Sequence, residues 1–370
     1  VLEGEHMLRV PRVLESRQGV RVTVDGVDVV NFASNDYLGL AGDPRLSSAA
    51  AASLDRDGVG AGSSRLIVGN HRAHVTLELD VASWMRCGGA RLFSTGYAAN
   101  VGVLTTLLRA GDMVFSDELN HASIIDGCRL SRASVEVYPH RDLAALERGL
   151  QSRGGRRRLV VSESVFSMDG DIADVAALAE LCRRYDAVLV LDEAHAVGVV
   201  GPEGRGVAAD VGVVPDLVIG TFGKALGTFG AFAATTQAVS DLLWNRARSL
   251  VFSTGVPPSI SAATSVAVMI VRSGEGDDRR RQLAASSWRF RTLVPNVGGA
   301  LESAIAPIVI GDDRRVVELG AQLLAAKLLV ASVRPPTVPA GTARLRVSMS
   351  AAHTAENIKD LAAIMQRVIR

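Results

Sequence analysis

"AVLVLDEAHAVG", residues 187–198, runs five apolar residues directly into two carboxylates and an imidazole. A short, continuous apolar run bounded by polar residues reads as a strand buried on both faces, as in a parallel sheet covered by helices. The pattern repeats. "ARLFST", "DMVFSD", "SVEVYP", "RLVVSES", "DLVIGT" and "GAFAATT" read as six further strands, while "VAALAELCRRY", apolar at i, i+3 and i+4, reads as a helix. Strands alternating with helices predict an α/β fold around a mostly parallel sheet.

The letters DEAH also occur in ATP-driven helicases, where they follow a phosphate cradle of the form GxxxxGK[ST]. No such cradle precedes residue 187. "GTFGKALG" at 220–227 lies downstream, spaces its glycines wrongly and follows its lysine with alanine. "GVGAGSSRL" at 58–66 lacks the third glycine of a dinucleotide fingerprint. Nucleotide chemistry is set aside, and Asp192 and His195 need another role.

Composition narrows the field further. A chain of 370 residues exceeds the ~250–300 at which single cores stop growing, so two lobes are expected. The net charge of +1 offers no field for nucleic acid or an acidic membrane, and neither is expected as a partner. No apolar run reaches the ~20 residues that span a bilayer, and "VLEGEHMLRV" at the start has no signal-peptide pattern. Cys87, Cys128 and Cys182 form no CxxC pair and join no His cluster, which predicts no metal site and a reduced, cytoplasmic compartment. Cys128 reads as a buried small hydrophobe rather than an acyl-carrying nucleophile. The switch to glycine and charge in "RSGEGDDRRR", 272–281, suggests a hinge. The expected division is an N-terminal arm over 1–38, a large domain over 39–274 and a small C-terminal α+β domain over 275–370. The last holds the strands "APIVIG" and "ARLRVSMS" and a helix within "AENIKDLAAIMQRVIR"; the alanine-rich 49–54 also reads as helix.

Lysine is scarce here: of 40 basic residues only Lys224, Lys327 and Lys359 are lysines. Lys224 sits inside the otherwise uncharged "VIGTFGKALGTFGAF", where solubility does not account for it. A desolvated amine is available as nucleophile or base, whereas arginine stays protonated. Other polar residues fall at the carboxyl ends of predicted strands: Gly96 and Tyr97, His121, Glu163 and Ser167, Asp192 and His195, Thr221 and Lys224. In open α/β sheets that edge binds ligands, so these groups should converge on one crevice.

An amine, a carboxylate and a flat ring in one crevice suit pyridoxal 5'-phosphate. Lys224 would hold its aldehyde carbon, Asp192 its ring nitrogen and His195 its phenolic oxygen, while His121 would stack on the ring. A lone strand-end aspartate is otherwise a helix cap, and a lone histidine structural. "STGYAAN" opens a helix at Gly96 and Tyr97, where unpaired amides favour a phosphate, and Thr221 can add a hydroxyl.

These residues resemble a known family, the α-oxoamine synthases, pyridoxal-phosphate enzymes of transferase fold type I. "NFASNDYLGL" (31–40), "GAGSSRLIVGNHRAHVTLE" (60–78), "FSTGYAANVGVL" (93–104), "SDELNHASIIDGCRLSRA" (116–133), "ESVFSMDGD" (163–171), "LDEAHAVGVVGPEGRG" (191–206), "TFGKALGTFGAF" (221–232) and "RPPTVPAGTARLRVS" (334–348) match in order. The resemblance implies a seven-stranded, mostly parallel sheet, a smaller C-terminal α+β domain, and an acyltransferase joining an amino acid to an acyl thioester with loss of carbon dioxide. "RPPTVPAGTARLR" and the "SNDYLGL…GAGSSRL" pair point to the member that uses L-alanine and a pimeloyl thioester, on CoA or acyl-carrier protein, in biotin biosynthesis. The alternatives are glycine users, 2-amino-3-ketobutyrate CoA ligase and 5-aminolevulinate synthase. Lys224 would also act as general base. Arg346 would fork onto the amino-acid carboxylate, and Asn35 would contact substrate or ring. Arg9, Arg334 and Thr337 would lie toward the distal carboxylate of the acyl chain. Ser253 and Thr254 correspond to a loop reaching the phosphate of a second subunit, which implies a homodimer. An aminotransferase on the same fold, or a partner-binding protein that kept the fold, are the other classes the residues allow.

Overall fold

The computed structural model describes residues 8–369; residues 1–7, the start of the expected arm, lie outside it. The chain forms two compact units. The larger comprises Asp43–Phe166 and Ala173–Asp277, and the smaller comprises residues up to Gly42, Ser167–Ile172 and the chain from Asp278 onward.

The smaller unit begins with a hairpin, β1 (Arg21–Val24) and β2 (Val27–Asn31). Its Asp25-Gly26 turn takes φ of 50° and 72°. A two-residue hairpin loop whose twist matches its strands needs both residues left-handed, which Asp-Gly tolerates.

The larger unit holds one seven-stranded sheet made of β3 (Gly89–Phe93), β4 (Met113–Asp117), β5 (Ser134–Tyr138), β6 (Arg158–Glu163), β7 (Val188–Asp192), β8 (Leu217–Thr221) and β9 (Ala231–Thr235). The order across the sheet is β3-β9-β8-β7-β6-β4-β5. From β5 to β8 every neighbouring pair is parallel; β9 alone runs antiparallel, between β8 and β3. All seven predicted strands are therefore present, and the central ones bury both faces. Val160, Val161, Val190, Leu191, Leu217 and Ile219 are each at most 2% exposed. At roughly 1.5–3 kcal/mol per fully buried aliphatic side chain, this packing fixes where each strand stops. Its consequence is positional, because the parallel strands end together: Glu163 pairs in register with Asp192. Helix Gly96–Leu107 lies on this core, with Ala99, Val103 and Leu104 buried in the same apolar cluster as Val161, Val190 and Ile219.

In the smaller unit β10 (Ile305–Gly311), β11 (Leu328–Leu329), β12 (Ala331–Val333) and β13 (Ala343–Ser348) complete two sheets. One has the order β10-β13-β12 and is antiparallel; in the other β11 adds to β2 in parallel. That pairing is why the N-terminal residues do not form a unit of their own, as the division at residue 38 supposed. The segment Ser167–Ile172 likewise falls in the smaller unit, where Gly170 accepts from the Ala300 amide and the Asp169 carboxylate pairs with Arg344.

The stretch 272–281 is not an irregular hinge. Helix Pro258–Arg272 ends at Ser273, and helix Gly274–Leu293 starts at once and runs through the division between the units. Glycine here serves close approach, since a Cβ on Gly276 would lie 2.2 Å from the Val271 carbonyl oxygen. Glu275 and Asp277 occupy the first turn, where the helix dipole favours acidic residues.

Candidate active site

The catalytic strand tips of the larger unit carry the predicted constellation. β8 ends at Thr221, whose buried hydroxyl donates to the Gly230 carbonyl and accepts from the Gly223 amide, closing the loop that presents Lys224. Nζ of Lys224 lies 2.9 Å from Nε2 of His195. His195 follows β7 by three residues and is itself buried. One bend thus faces an amine with an imidazole.

Asp192, the last residue of β7, is 5% exposed. Its Oδ1 accepts from the Ala194 amide at 2.9 Å and its Oδ2 from Nδ2 of Asn100 at 2.7 Å. The same Asn100 nitrogen donates to Oγ of Ser123 at 3.0 Å, and Ser123 Oγ lies 2.7 Å from Nδ1 of His121. His121 caps helix Ala122–Ser131, Nδ1 accepting from the Ser123 amide. Its ring is solvent-accessible, yet the surrounding protein desolvates it enough to pull its pKa below the ordinary value. The Asp192 charge opposes that shift and the Lys224 charge adds to it, so His121 senses both.

Helix Gly96–Leu107 opens with backbone amides that its own hydrogen bonds do not use. Thr95 caps it by accepting from the Ala98 amide, and its first backbone bond runs from Ala99 to Thr95. The amides of Gly96 and Tyr97 precede that bond, no acidic residue occupies the first turn, and a Cβ on Gly96 would meet nothing within 4 Å. The Tyr97 hydroxyl is committed elsewhere, donating to Asp126 at 2.5 Å. Glu163 is 3% exposed beside Asp192, its amide donating to Asn120 Oδ1. Thr254 pairs with Ser64 in an isolated bridge, and Ser253 and Thr254 line a small cavity with Arg65, His74 and Ser94.

The smaller unit holds a polar cluster of its own. Arg346 on β13 is 4% exposed. Its Nε donates to the Ser167 carbonyl at 2.6 Å, Nη1 to Asn35 Oδ1 at 3.1 Å and to Ser348 Oγ at 2.8 Å, and Nη2 to the Tyr37 hydroxyl at 3.4 Å. Among the described residues no carboxylate pairs with this guanidinium. A buried cation with only neutral partners is costly, and an incoming anion relieves that cost. The remaining three candidates also meet: Arg9 donates to Thr337 Oγ1 at 3.0 Å, and Arg334 to the Leu8 carbonyl at 2.8 Å.

Sequence reasoning missed Asn100, Ser123 and Tyr37. Asn100 had a signal. It lies four residues after Gly96 in the largely apolar "GYAANVGVL", hence on the face of the helix that follows the anion site. Cys128, as expected, is a buried hydrophobe, its thiol pushed up to about 12 by desolvation.

The residues of the larger unit fit pyridoxal phosphate: an amine beside an imidazole, a buried carboxylate that accepts one N–H bond on each oxygen, and open helix amides. Fold and site together define a pyridoxal-phosphate enzyme of fold type I. The comparisons agree. The class I and II aminotransferase family matches residues 27–365. The 8-amino-7-oxononanoate synthase of Citrifermentans bemidjiense is 45% identical, over 99% of this chain and 96% of its own, and that of Geobacter sulfurreducens is 45% identical over 99% and 95%. Among solved structures, serine palmitoyltransferase from S. paucimobilis, bound to PLP and myriocin, superposes with a TM-score of 0.93 at 29% identity, covering 97% and 92% of the two chains. The 8-amino-7-oxononanoate synthase of Francisella tularensis gives 0.78 at 28%, covering 92% and 98%. The chain belongs to the class I and II aminotransferase family, in its α-oxoamine synthase branch, and is a pyridoxal-phosphate-dependent acyltransferase.

Proposed function

We propose that this chain condenses L-alanine with a pimeloyl thioester, carried by CoA or acyl-carrier protein, in biotin biosynthesis. A carbon–carbon bond forms between the alanine α-carbon and the acyl carbonyl carbon, the thioester C–S bond breaks, and the alanine carboxyl group leaves as carbon dioxide. The observation that carries this reading is 45% identity, over 99% of the chain, to 8-amino-7-oxononanoate synthases. Pyridoxal phosphate, when bound, supplies the electron sink for the carbon that loses its proton.

The chain's own residues divide the rest of the work. Lys224 carries the cofactor, and its Nζ then takes and returns the α-proton, with His195 Nε2 2.9 Å away as proton partner. Asp192 is the partner of the cofactor's ring nitrogen, and His121 the flat group against the ring. Gly96 and Tyr97 would take the phosphate through their backbone amides, with Glu163 beside the cofactor; the Thr221 hydroxyl, expected to join them, donates instead to the Gly230 carbonyl. Arg346 takes the amino-acid carboxylate, with Asn35 oriented by the same guanidinium. Arg9, Arg334 and Thr337 form the patch assigned to the distal carboxylate of the acyl chain.

A homodimer in the cytoplasm is part of this proposal, with Ser253 and Thr254 facing the phosphate of a second subunit. Val59, Ile67, Val68 and Phe252 support it, each at least 72% exposed on the larger unit; exposed apolar side chains of this size favour a protein partner. Among the described residues no helix is long and apolar enough to cross a membrane. The test is thiol release from pimeloyl-CoA with alanine, glycine or serine. Release that requires alanine supports the reading. Release with glycine alone moves the chain to a glycine-using member, and transamination without thiol release overturns acyl transfer.

A further inference from the structure

Asn100 donates from one nitrogen to two acceptors, Oδ2 of Asp192 at 2.7 Å and Oγ of Ser123 at 3.0 Å. Those two bonds use both hydrogens of the amide nitrogen and order the protons along a chain. A carboxylate only accepts, so the nitrogen end of the amide faces it. Ser123 Oγ accepts from Asn100 and therefore turns its own hydrogen toward His121 Nδ1, 2.7 Å away. The Ser123 backbone amide donates to the same Nδ1 at 3.2 Å. Nδ1 thus carries no hydrogen, and His121 is held as the neutral Nε2–H tautomer.

The other end of Asn100 makes a second point. Its Oδ1 is buried and has no hydrogen-bond partner among the described residues. The side chain is 1% exposed, where an unpaired acceptor is costly. A residue kept for packing alone would carry no such atom, so the donor end accounts for its presence.

We propose that Asn100 is a positioning residue that, through Ser123, sets the Asp192 carboxylate and the His121 ring as one hydrogen-bonded unit. The inference rests on the cofactor assignment. Asp192 and His121 are the two groups given to the cofactor's ring nitrogen and ring face, and Asn100 couples the protonation of one to the tautomer of the other without touching the cofactor itself.

The test compares Asn100→Leu, Asn100→Asp, Ser123→Ala and the Asn100→Leu/Ser123→Ala double variant. In protein with ¹⁵N-labelled histidine and no cofactor added, wild-type His121 should show an unprotonated Nδ1, its signal identified by its loss in His121→Asn. Asn100→Leu and Ser123→Ala should each shift the Nδ1 signal, because the hydroxyl bond to Nδ1 loosens or is lost while the Ser123 amide still donates there. In the holoenzyme, Asn100→Leu should lower kcat about 10- to 100-fold, the usual effect of losing an outer-shell partner, with KM for alanine little changed. Asn100→Asp should retain activity at low pH, where the new carboxyl group donates to Asp192 as the amide did, and lose it as pH rises and like charges face each other. The double variant should be no more impaired than Asn100→Leu, because both changes break one chain.

An unchanged His121 Nδ1 signal in Asn100→Leu overturns the proposal. So does an Asn100→Asp pH profile parallel to wild type, and so do fully additive effects in the double variant. Should Asn100→Leu fail to fold, the Asn100→Asp profile and the Ser123→Ala Nδ1 signal decide. Failure of the cofactor assignment looks different: the tautomer result in cofactor-free protein would stand while no variant changed the visible absorption of protein given pyridoxal phosphate.

Discussion

Nε2 of His195 and Nζ of Lys224 are 2.9 Å apart, within hydrogen-bond reach at the end of adjacent parallel strands. Lys224 therefore has a proton partner within reach. His195→Asn should lower kcat by about 10²-fold and move the acidic limb of the kcat/KM profile. Pre-steady-state proton exchange at the alanine α-carbon would show whether that step is the one slowed. Lys224→Ala should leave no reducible cofactor adduct and no turnover.

Arg346 can be tested apart from the proton chemistry. Its guanidinium offers charge-assisted bonds worth roughly 1.5–3 kcal/mol each to a carboxylate. Arg346→Met should therefore raise KM for alanine by at least about 10-fold, and Arg346→Lys should recover only part, since an ammonium cannot bind as a fork. Steady-state kinetics with alanine varied is the measurement; an unchanged KM removes Arg346 from carboxylate binding.

Glu193, between Asp192 and His195, gives a prediction about pH. It is fully buried, accepting from Ser164 Oγ at 2.5 Å and from the amides of Val207 and Ala208 at 3.0 and 2.9 Å. Gly206 passes so close, at φ 102°, that a Cβ there would lie 2.6 Å from the carboxyl carbon. Burial, opposed by these hydrogen bonds and joined by the Asp192 charge, pushes the Glu193 pKa up to about 6 from 4.5. Because the folded value is the higher, the contribution to stability is intact below pH 4.5 and is lost as pH rises to about 6, by about 2 kcal/mol. Glu193→Gln should remove that slope; urea unfolding of both proteins at the two ends of the window measures it.

His353, in the smaller unit, slopes the opposite way. Its ring stacks on Phe32 at 4.1 Å, accepts from the Ser350 amide and donates to the Asn31 carbonyl. Desolvation lowers its pKa to about 4 from 6.5. The folded form resists protonation, so stability is full above pH 6.5 and falls by about 3 kcal/mol as pH drops toward 4. His353→Asn should be less stable than wild type at pH 7 yet flatter across that range in the same unfolding measurement.

Particular residues separate what the sequence determined from what folding decided. The seven strands of the main sheet, the helix opening at Gly96 and the placement of Asp192 and Lys224 at or just past strand ends were legible, because apolar run length, turn residues and a scarce lysine are local properties of the chain. The hairpin "RVTVDGVDVV" carries a local signal too, alternating valines around Asp-Gly, but the expected division at residue 38 puts it inside an N-terminal arm. Other features were not local. That β2 accepts β11 as a neighbour depends on residues some 300 positions apart, and no period in either segment names its partner. The glycines of 272–281 read as a loop until Val271 packs against Gly276 and makes them part of a helix junction. Asn100 acquires its meaning only when the strand bearing Asp192 and the helix bearing Ser123 bring their acceptors to one nitrogen. Residue chemistry fixed which groups this protein could use; three-dimensional packing chose which of them share a proton, because a hydrogen bond depends on distances that sequence order does not set.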